Sequence, residues 1–298
     1  MHKIFTVIVT FNGSQWIRQC LESLQSSTIK GEIIVVDNGS ADDTLEILQT
    51  FKEQIHLIAE GKNMGFGGGN NLGIVEALKS GAEYIFLLNQ DAYVRPDTIE
   101  KLYSAALKYP EYGIISPMQM EACGKKPDVL FKKYYDSNSS NDRHDIFEVR
   151  FVNAAAWFCR AEVFKKSGLF HPVFFHYGED NHFCSRVQYH GFKVGIFKAT
   201  SVIHDREYSS KDKKKILLQK MRTVPLYTLM DIRKPFFIAW LIGYRKLKRL
   251  KAALESEGIT GKEIEDLFNQ QVEWFTGKLT EVKAIRKATR KAYPPLLF

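Results

Sequence analysis

Four cysteines in 298 residues are few, and none of Cys20, Cys123, Cys159 and Cys184 stands in a C-x-x-C pair. That scatter argues against a structural zinc site and against a disulfide scaffold, and makes a reducing, cytoplasmic compartment the simplest setting. No stretch reaches the ~20 consecutive apolar residues that a membrane-spanning helix needs. The opening stretch, MHKIFTVIVTFNGSQW, also lacks the charged start, apolar run and small-residue cleavage site of a signal peptide. No internal repeat is visible. Two nucleotide-binding signatures are missing as well. The first strand-to-helix turn, TFNGSQW, is not the glycine fingerprint of a dinucleotide site, and no Gly-Lys-Ser/Thr of a Walker loop occurs.

What is present is an ordinary globular composition, 45% hydrophobic and 26% charged, with a net charge of +8 that favours anionic partners. The first half alternates. IFTVIVT, EIIVVD, IHLIAE and YIFLLN read as strands, and the segments between them carry apolar residues at helical spacing, such as Trp16, Ile17, Cys20, Leu21 and Leu24. YIFLLN is apolar throughout, as a parallel strand buried on both faces should be. Strict alternation predicts an α/β fold, a mostly parallel central sheet flanked by helices, with ligands beyond the carboxyl ends of its strands. Residues 116–145 are polar, show no clear period and include a Ser/Asn cluster at 137–141, which reads as an excursion over the sheet. FEVRFVNAAAWFCR returns to strand character, RAEVFKKSG and GEDNHFCSRVQYHG read as helices, and KVGIF reads as a further strand. From Lys211 the chain turns to lysine-rich helical segments broken at Pro225 and Pro235. The organisation expected is therefore a domain over 1–210, split into a nucleotide-binding half (1–115) and an acceptor-binding half (116–210), followed by a basic helical region over 211–298.

Polar groups gather at the strand ends: Thr10 and Asn12 after the first, Asp37 after the second, Gln90 and Asp91 after the fourth. Each alone is an ordinary turn or capping residue. NMGFGGGNN is a candidate phosphate cradle, since glycines let backbone N–H groups approach an anion at a helix start; the alternative is a turn that packs a helix tightly on the sheet. Asp91 emerges from a buried strand at the ligand-binding edge, and His204 follows the strand KVGIFKATSVIH. A carboxylate and an imidazole suit Mn2+ or Mg2+ bridging two phosphates, because phosphates and water complete the shell. Glu179 and Asp180 stand together behind the aromatic run FFHY, which reads as buried or half-buried. Neighbouring desolvated acids are costly, so the pair suggests acid–base chemistry, with helix capping as the bland alternative.

The set VIVTFN, IIVVDNGSADDT, NMGFGGGNNLGI, LLNQDAYV and FFHYGEDNHFCSRVQYHGFKV, in this order and spacing, resembles the inverting family 2 glycosyltransferases, most of all the rhamnosyltransferase-like subgroup. The resemblance runs over about residues 4–208. It implies the GT-A nucleotide-diphospho-sugar transferase fold and transfer of a sugar from a UDP- or dTDP-sugar to a hydroxyl of a glycan. By that resemblance Thr10 and Asn12 lie beside the nucleoside, Asp37 accepts the base N3–H, and Asn63 lies near the nucleotide. Asn70 stands where many relatives have arginine. Gln90 and Asp91 fall on the family's DXD motif, read here as NQD, with Asn89 in place of the first acid. Asp180 becomes the base that deprotonates the acceptor and Glu179 its partner. His182 replaces an acid, and residues 154–157 pass beneath the donor sugar.

The tail segment RKPFFIAWLIGYRKLKRLKAA joins an apolar run, residues 236–242, to Arg245, Lys246, Lys248, Arg249 and Lys251. Such a helix suits an anionic membrane surface, and with it a lipid-linked glycan acceptor at the inner face of the cell membrane. The alternative is packing on the fold or on a second subunit, as in a homodimer. No nucleic-acid-binding module accompanies the charge. Two rival functions stay open on the residues: a sugar-phosphate nucleotidyltransferase, which wants a basic glycine loop after the first strand, and a catalytically degenerate nucleotide-sugar-binding domain.

Overall fold

A computed structural model of the chain describes residues 3–136, 145–206 and 213–291. Strand β1 (Ile4–Thr10) sends alternate side chains to opposite faces. Ile4 and Ile8 enter one core with helix α1 (Ile17–Gln25), while Phe5 and Val7 enter another with α3 (Gly65–Lys79). Strands β2 (Glu32–Asp37), β3 (His56–Ala59) and β4 (Tyr84–Asn89) join β1 in the order β3-β2-β1-β4, all parallel, with α2 (Thr44–Gln49) between β2 and β3. The order reverses at β1, with β2 on one side and β4 on the other. A crevice therefore opens beyond the ends of β1 and β4.

The sheet continues past β4 with β8 (Ala156–Arg160), β6 (Tyr112–Met120) and β9 (Lys193–His204). β8 is antiparallel to β4 and β6, and β6 is parallel to β9. Short strands β5 (Ala92–Val94) and β7 (Ile146–Glu148) pair antiparallel with β9. α4 (Thr98–Lys108) packs in the first core, and α6 (Ala161–Ser167) and α7 (Glu179–Tyr189) pack in the second. The α/β class expected from the alternation is what the chain adopts.

Residues 116–145 depart from the expected excursion. Residues 116–120 complete β6 between β8 and β9, and α5 (Val129–Asp136) follows; the cluster at 137–141 lies outside the described residues. Pro117 hides the strand, since it donates no amide hydrogen, and the β6–β9 register shifts between Pro117 and Met118 to accommodate it. Of FEVRFVNAAAWFCR, only Phe147 and Glu148, which end β7, and Ala156–Arg160 are strand.

The C-terminal helices are α8 (Lys213–Met230), α9 (Phe236–Ser256), α10 (Lys262–Thr276) and α11 (Leu279–Thr289). Pro225 does not break the chain there: it lies inside α8, whereas Pro235 caps α9. These helices build a third core, and Phe174 reaches into it from the preceding half. Arg286 on α11 donates to the carbonyls of Leu229, Asp231 and Lys234, fastening the α8–α9 turn. On α9, Ala239, Gly243, Leu247 and Leu254 face this core, while Phe237 and Ile238 are exposed along with Arg245, Lys248 and Arg249. Lys246 is not a free surface charge, because its ammonium donates to Thr228 Oγ1 at 3.1 Å. Among the described residues no helix is long and apolar enough to cross a membrane.

Candidate active site at the β1–β4 crevice

A cavity of about 380 Å3 occupies the crevice, within the usual range for small-ligand sites. Its polar wall holds Asn38, Asn63, Gln90 and Asp91, and Phe11 and Phe175 supply aromatic surface. Gln90 clamps the two strand ends together: its Oε1 accepts from the Phe11 amide at 3.0 Å and its Nε2 donates to the Phe11 carbonyl at 3.2 Å. The clamp leaves no room beside it, as a Cβ on Gly13 would lie 2.1 Å from Gln90 Oε1.

Four of the residues expected at the donor do not line this cavity. The Asp37 carboxylate is buried and accepts four hydrogen bonds, from the Thr10 and Ser40 hydroxyls (2.9 and 2.6 Å) and the Gly39 and Ser40 amides (both 3.0 Å). It has no lone pair left for a base, and Thr10 is spent on it. Asn12, in the left-handed region at φ 48°, accepts from the Ala41 amide at 2.8 Å and stitches the β1 loop to the β2 loop. Asn70 is buried within α3, where its amide donates to the Phe66 carbonyl at 2.9 Å. The neighbour of Asp37 faces the cavity instead. Asn38 donates Nδ2 to the Gly65 carbonyl at 3.0 Å, and its buried Oδ1 has no partner.

The glycines of GFGGGNNLG are explained by packing. A Cβ on Gly69 would meet Val9 at 2.7 Å, and one on Gly73 would meet Val7 at 2.3 Å, so α3 lies flat on β1. A Cβ on Gly65 would lie 2.0 Å from the Phe175 carbonyl oxygen, and Gly65 itself takes φ 74°. Only glycine fits there.

Asp91 and His204 converge through the pairing of β5 with β9, which sets Ala92 opposite His204. His204 Nε2 lies 3.4 Å from Asp91 Oδ1, and both Asp91 Oδ1 and His204 Nδ1 are buried without a hydrogen-bond partner. Among the described residues no group of three or more His, Cys, Asp or Glu side chains converges. An orphaned carboxylate oxygen beside an imidazole fits a divalent cation that draws its remaining ligands from a diphosphate and water.

The aromatic run before the acid pair splits in two. Phe174 is buried, but Phe175 and Tyr177 are 60% and 48% exposed, so the run is a turn and not a core segment. Tyr177 (φ 69°) and Gly178 (φ 94°) both take left-handed backbone, a costly conformation for tyrosine that ends in the first residue of α7. Glu179 lies beneath α3, its Cγ 3.7 Å from where a Gly67 Cβ would sit, and its buried Oε2 has no partner. Asp180 Oδ1 accepts from the Asn181 amide at 2.7 Å. Burial pushes Glu179 up to about 8, with the Asp180 charge adding to it. Burial also pushes Asp180 up, to about 6, and the donors from Asn181 hold it below its neighbour. The phenol of Tyr177 is raised by desolvation, lowered by the Arg206 charge, and raised again by the charges of Glu179, Asp180 and Asp91. His182, also in α7, is buried against Phe174 with both ring nitrogens unpartnered, and desolvation holds it neutral.

The family described as Glycosyl transferase family 2 matches residues 6–168. The Haloferax volcanii low-salt glycan biosynthesis hexosyltransferase Agl10 is 24% identical over 90% of this chain and 86% of its own length. The Shigella flexneri dTDP-rhamnosyl transferase RfbF is 26% identical over 67% of this chain and 68% of its own. In fold, the chain is similar to S. aureus TarS (TM-score 0.63, 16% identity, 97% of this chain and 86% of that one), which has also been crystallised with UDP and with UDP-GlcNAc. It is similar as well to the mannosyltransferase PcManGT from Pyrobaculum calidifontis, solved with GDP-Man and Mn2+ (TM-score 0.61, 15% identity, 96% of this chain and 85% of that one).

Proposed function

Because the chain belongs to glycosyl transferase family 2, we propose that it moves a sugar from a UDP- or dTDP-sugar to a hydroxyl of a glycan acceptor, with inversion at the sugar C1, in the building of a cell-surface polysaccharide. The observation that carries this reading is the turn at residues 173–178. Its residues Phe175 and His176 line the donor cavity, and it leads directly into Glu179 and Asp180 at the start of α7. A base on one side of a sugar C1 and a leaving diphosphate on the other is the geometry of a single inverting displacement. The acceptor oxygen bonds to C1 as its proton passes to Asp180; the C1–O bond to the diphosphate breaks, and its electron pair leaves with the nucleoside diphosphate. Asp180 suits this role better than Glu179, since burial raises both acids but the Asn181 amide and side chain donate to Asp180 and keep it the more readily ionised of the pair.

Asp91 and His204 would hold a divalent cation, which when bound neutralises charge on the leaving diphosphate. The partnerless Asn38 Oδ1 is placed to accept the N3–H of uracil or thymine, beside the exposed ring of Phe11 on which a base can stack. Support for a glycan acceptor comes from the named activity of Agl10, in glycan biosynthesis, and support for a dTDP-sugar from that of RfbF. The exposed Phe237 and Ile238 with Arg245, Lys248 and Arg249 on α9 suit a peripheral seat on anionic lipid, where a lipid-linked glycan would be met. The test is Asp180→Asn assayed with a panel of UDP-, dTDP- and GDP-sugars: turnover falls ~100-fold or more while nucleotide binding persists. Near wild-type turnover in that variant would overturn the assignment of the base.

A further inference from the structure

A second and larger cavity, about 800 Å3, lies between the 173–178 turn and the helices α8 and α10. Among the described residues, Phe175 and His176 alone line both this cavity and the donor cavity, so these two residues are their shared wall. An inverting displacement needs such a boundary. The diphosphate leaves from one face of the sugar ring and the acceptor arrives at the other, so the ring has to stand where the donor cavity adjoins a second space.

The wall is fixed in place. The Phe175 carbonyl abuts Gly65 at the start of α3, and the Phe175 ring lies over the same residue, its Cδ2 3.2 Å from where a Gly65 Cβ would sit. The ring is still 60% exposed, so it is anchored at one edge and bare elsewhere. His176 comes next, with its ring centroid 3.9 Å from that of Tyr177, and neither of its nitrogens is bonded to another described residue. A neutral imidazole offers one donor and one acceptor, the pair that a hydroxyl uses, while a bare aromatic ring takes the apolar C–H groups of a pyranose. The wall carries no cation for a phosphate. The diphosphate and the base have their places elsewhere in the cavity, at Asp91 and at Asn38 with Phe11.

We propose that Phe175 and His176 form the subsite for the transferred sugar: the Phe175 ring packs on the C–H side of the pyranose and the His176 imidazole bonds one of its hydroxyls, holding the ring at the boundary between the two cavities. The inference rests on the transferase reading, because only a sugar nucleotide sets a sugar beside a diphosphate site.

Calorimetry on the full chain with Mn2+ tests it by comparing UDP with UDP-glucose, UDP-galactose and UDP-N-acetylglucosamine, and dTDP with dTDP-rhamnose. The sugar nucleotide that wild type binds most tightly is carried forward together with its own diphosphate. His176→Ala and Phe175→Ala each weaken that sugar nucleotide about tenfold, the scale of one hydrogen bond or one ring contact, and leave the diphosphate within about twofold. The retained diphosphate affinity also shows that each variant is folded. His176→Asn, which keeps a donor and an acceptor, recovers part of the loss. Equal losses for sugar nucleotide and diphosphate, or no loss for either, overturn the subsite while leaving the transferase reading in place. Were wild type to bind neither UDP nor dTDP, the transferase reading itself would fall, and the subsite with it.

Discussion

Glu179→Gln should stabilise this protein at alkaline pH and destabilise it at acidic pH. The carboxyl is 4% exposed, its Oε2 has no partner, and burial raises it from an ordinary 4.5 to about 8. The folded chain thus binds this proton more tightly than the unfolded chain. Below about 4.5 both states carry it and nothing is lost; between about 4.5 and about 8 the unfolded chain alone releases it and the folded state loses stability steadily, and above about 8 the whole cost is present. At roughly 1.4 kcal/mol per unit, the displacement sets a ceiling of roughly 4 to 5 kcal/mol. Glutamine escapes this cost, but places an amide where no acceptor is available, a loss of about 1 to 3 kcal/mol at every pH. The variant is therefore less stable than wild type near about pH 5 and more stable near about pH 9, the difference between the two being the proton linkage alone. Asp180, pushed up by burial to about 6, adds its charge to the Glu179 shift, so the same pair of measurements in an Asp180→Asn background isolates Glu179. Urea unfolding at both pH values, with slopes checked for constancy, reads the result. A stability difference that is the same at both pH values would refute the reasoning.

Chelator should weaken UDP binding far more than uridine binding, because a cation at Asp91 and His204 touches only the diphosphate; calorimetry with each ligand checks this, and equal losses would remove the metal from the site. Asp37→Asn should lower stability by about 1 to 3 kcal/mol through the lost loop bonds and leave the preference for uridine over cytidine diphosphate intact, whereas Asn38→Ala should erode that preference without unfolding the loop. Phe237→Ser with Ile238→Ser should reduce co-sedimentation with anionic vesicles, as should neutralising Arg245, Lys248 and Arg249, each worth roughly 1 kcal/mol near the surface. A wild-type chain that ignores such vesicles at low salt would end the membrane reading.

The parallel half was legible because strands buried on both faces read as unbroken apolar runs, YIFLLN above all, and because helices of regular spacing separate them. β6 was not, since Pro117 breaks the expected pattern and only the neighbouring strands reveal that a register shift absorbs it. At the site, the strand ends point to the sheet edge where the cavity lies, and of the side chains named there Asn63, Gln90 and Asp91 line it while Thr10, Asn12, Asp37 and Asn70 do not. Asp37 and Asn38 are adjacent, and a rotation of the loop decides which one faces the cavity; hydrogen bonds from Thr10 and Ser40 make that choice, and they act across 27 and 3 residues. The packing role of the glycines was available in principle, since Gly65, Gly69 and Gly73 recur every four residues on one helix face. The larger cavity was not available, because its walls come from the 173–178 turn and from helices some forty to a hundred residues later in the chain.

The contact of Gly65 with the Phe175 carbonyl joins the two halves of the enzyme through bare backbone, with no side chain between them. A joint of this kind carries no sequence specificity beyond the glycine itself. On the proposed reading, descendants of this chain can exchange the residues around Phe11 and Asn38 to accept a new donor without disturbing this joint. Diversification on one side is insulated from the other, and the glycine is the position that such a lineage cannot vary.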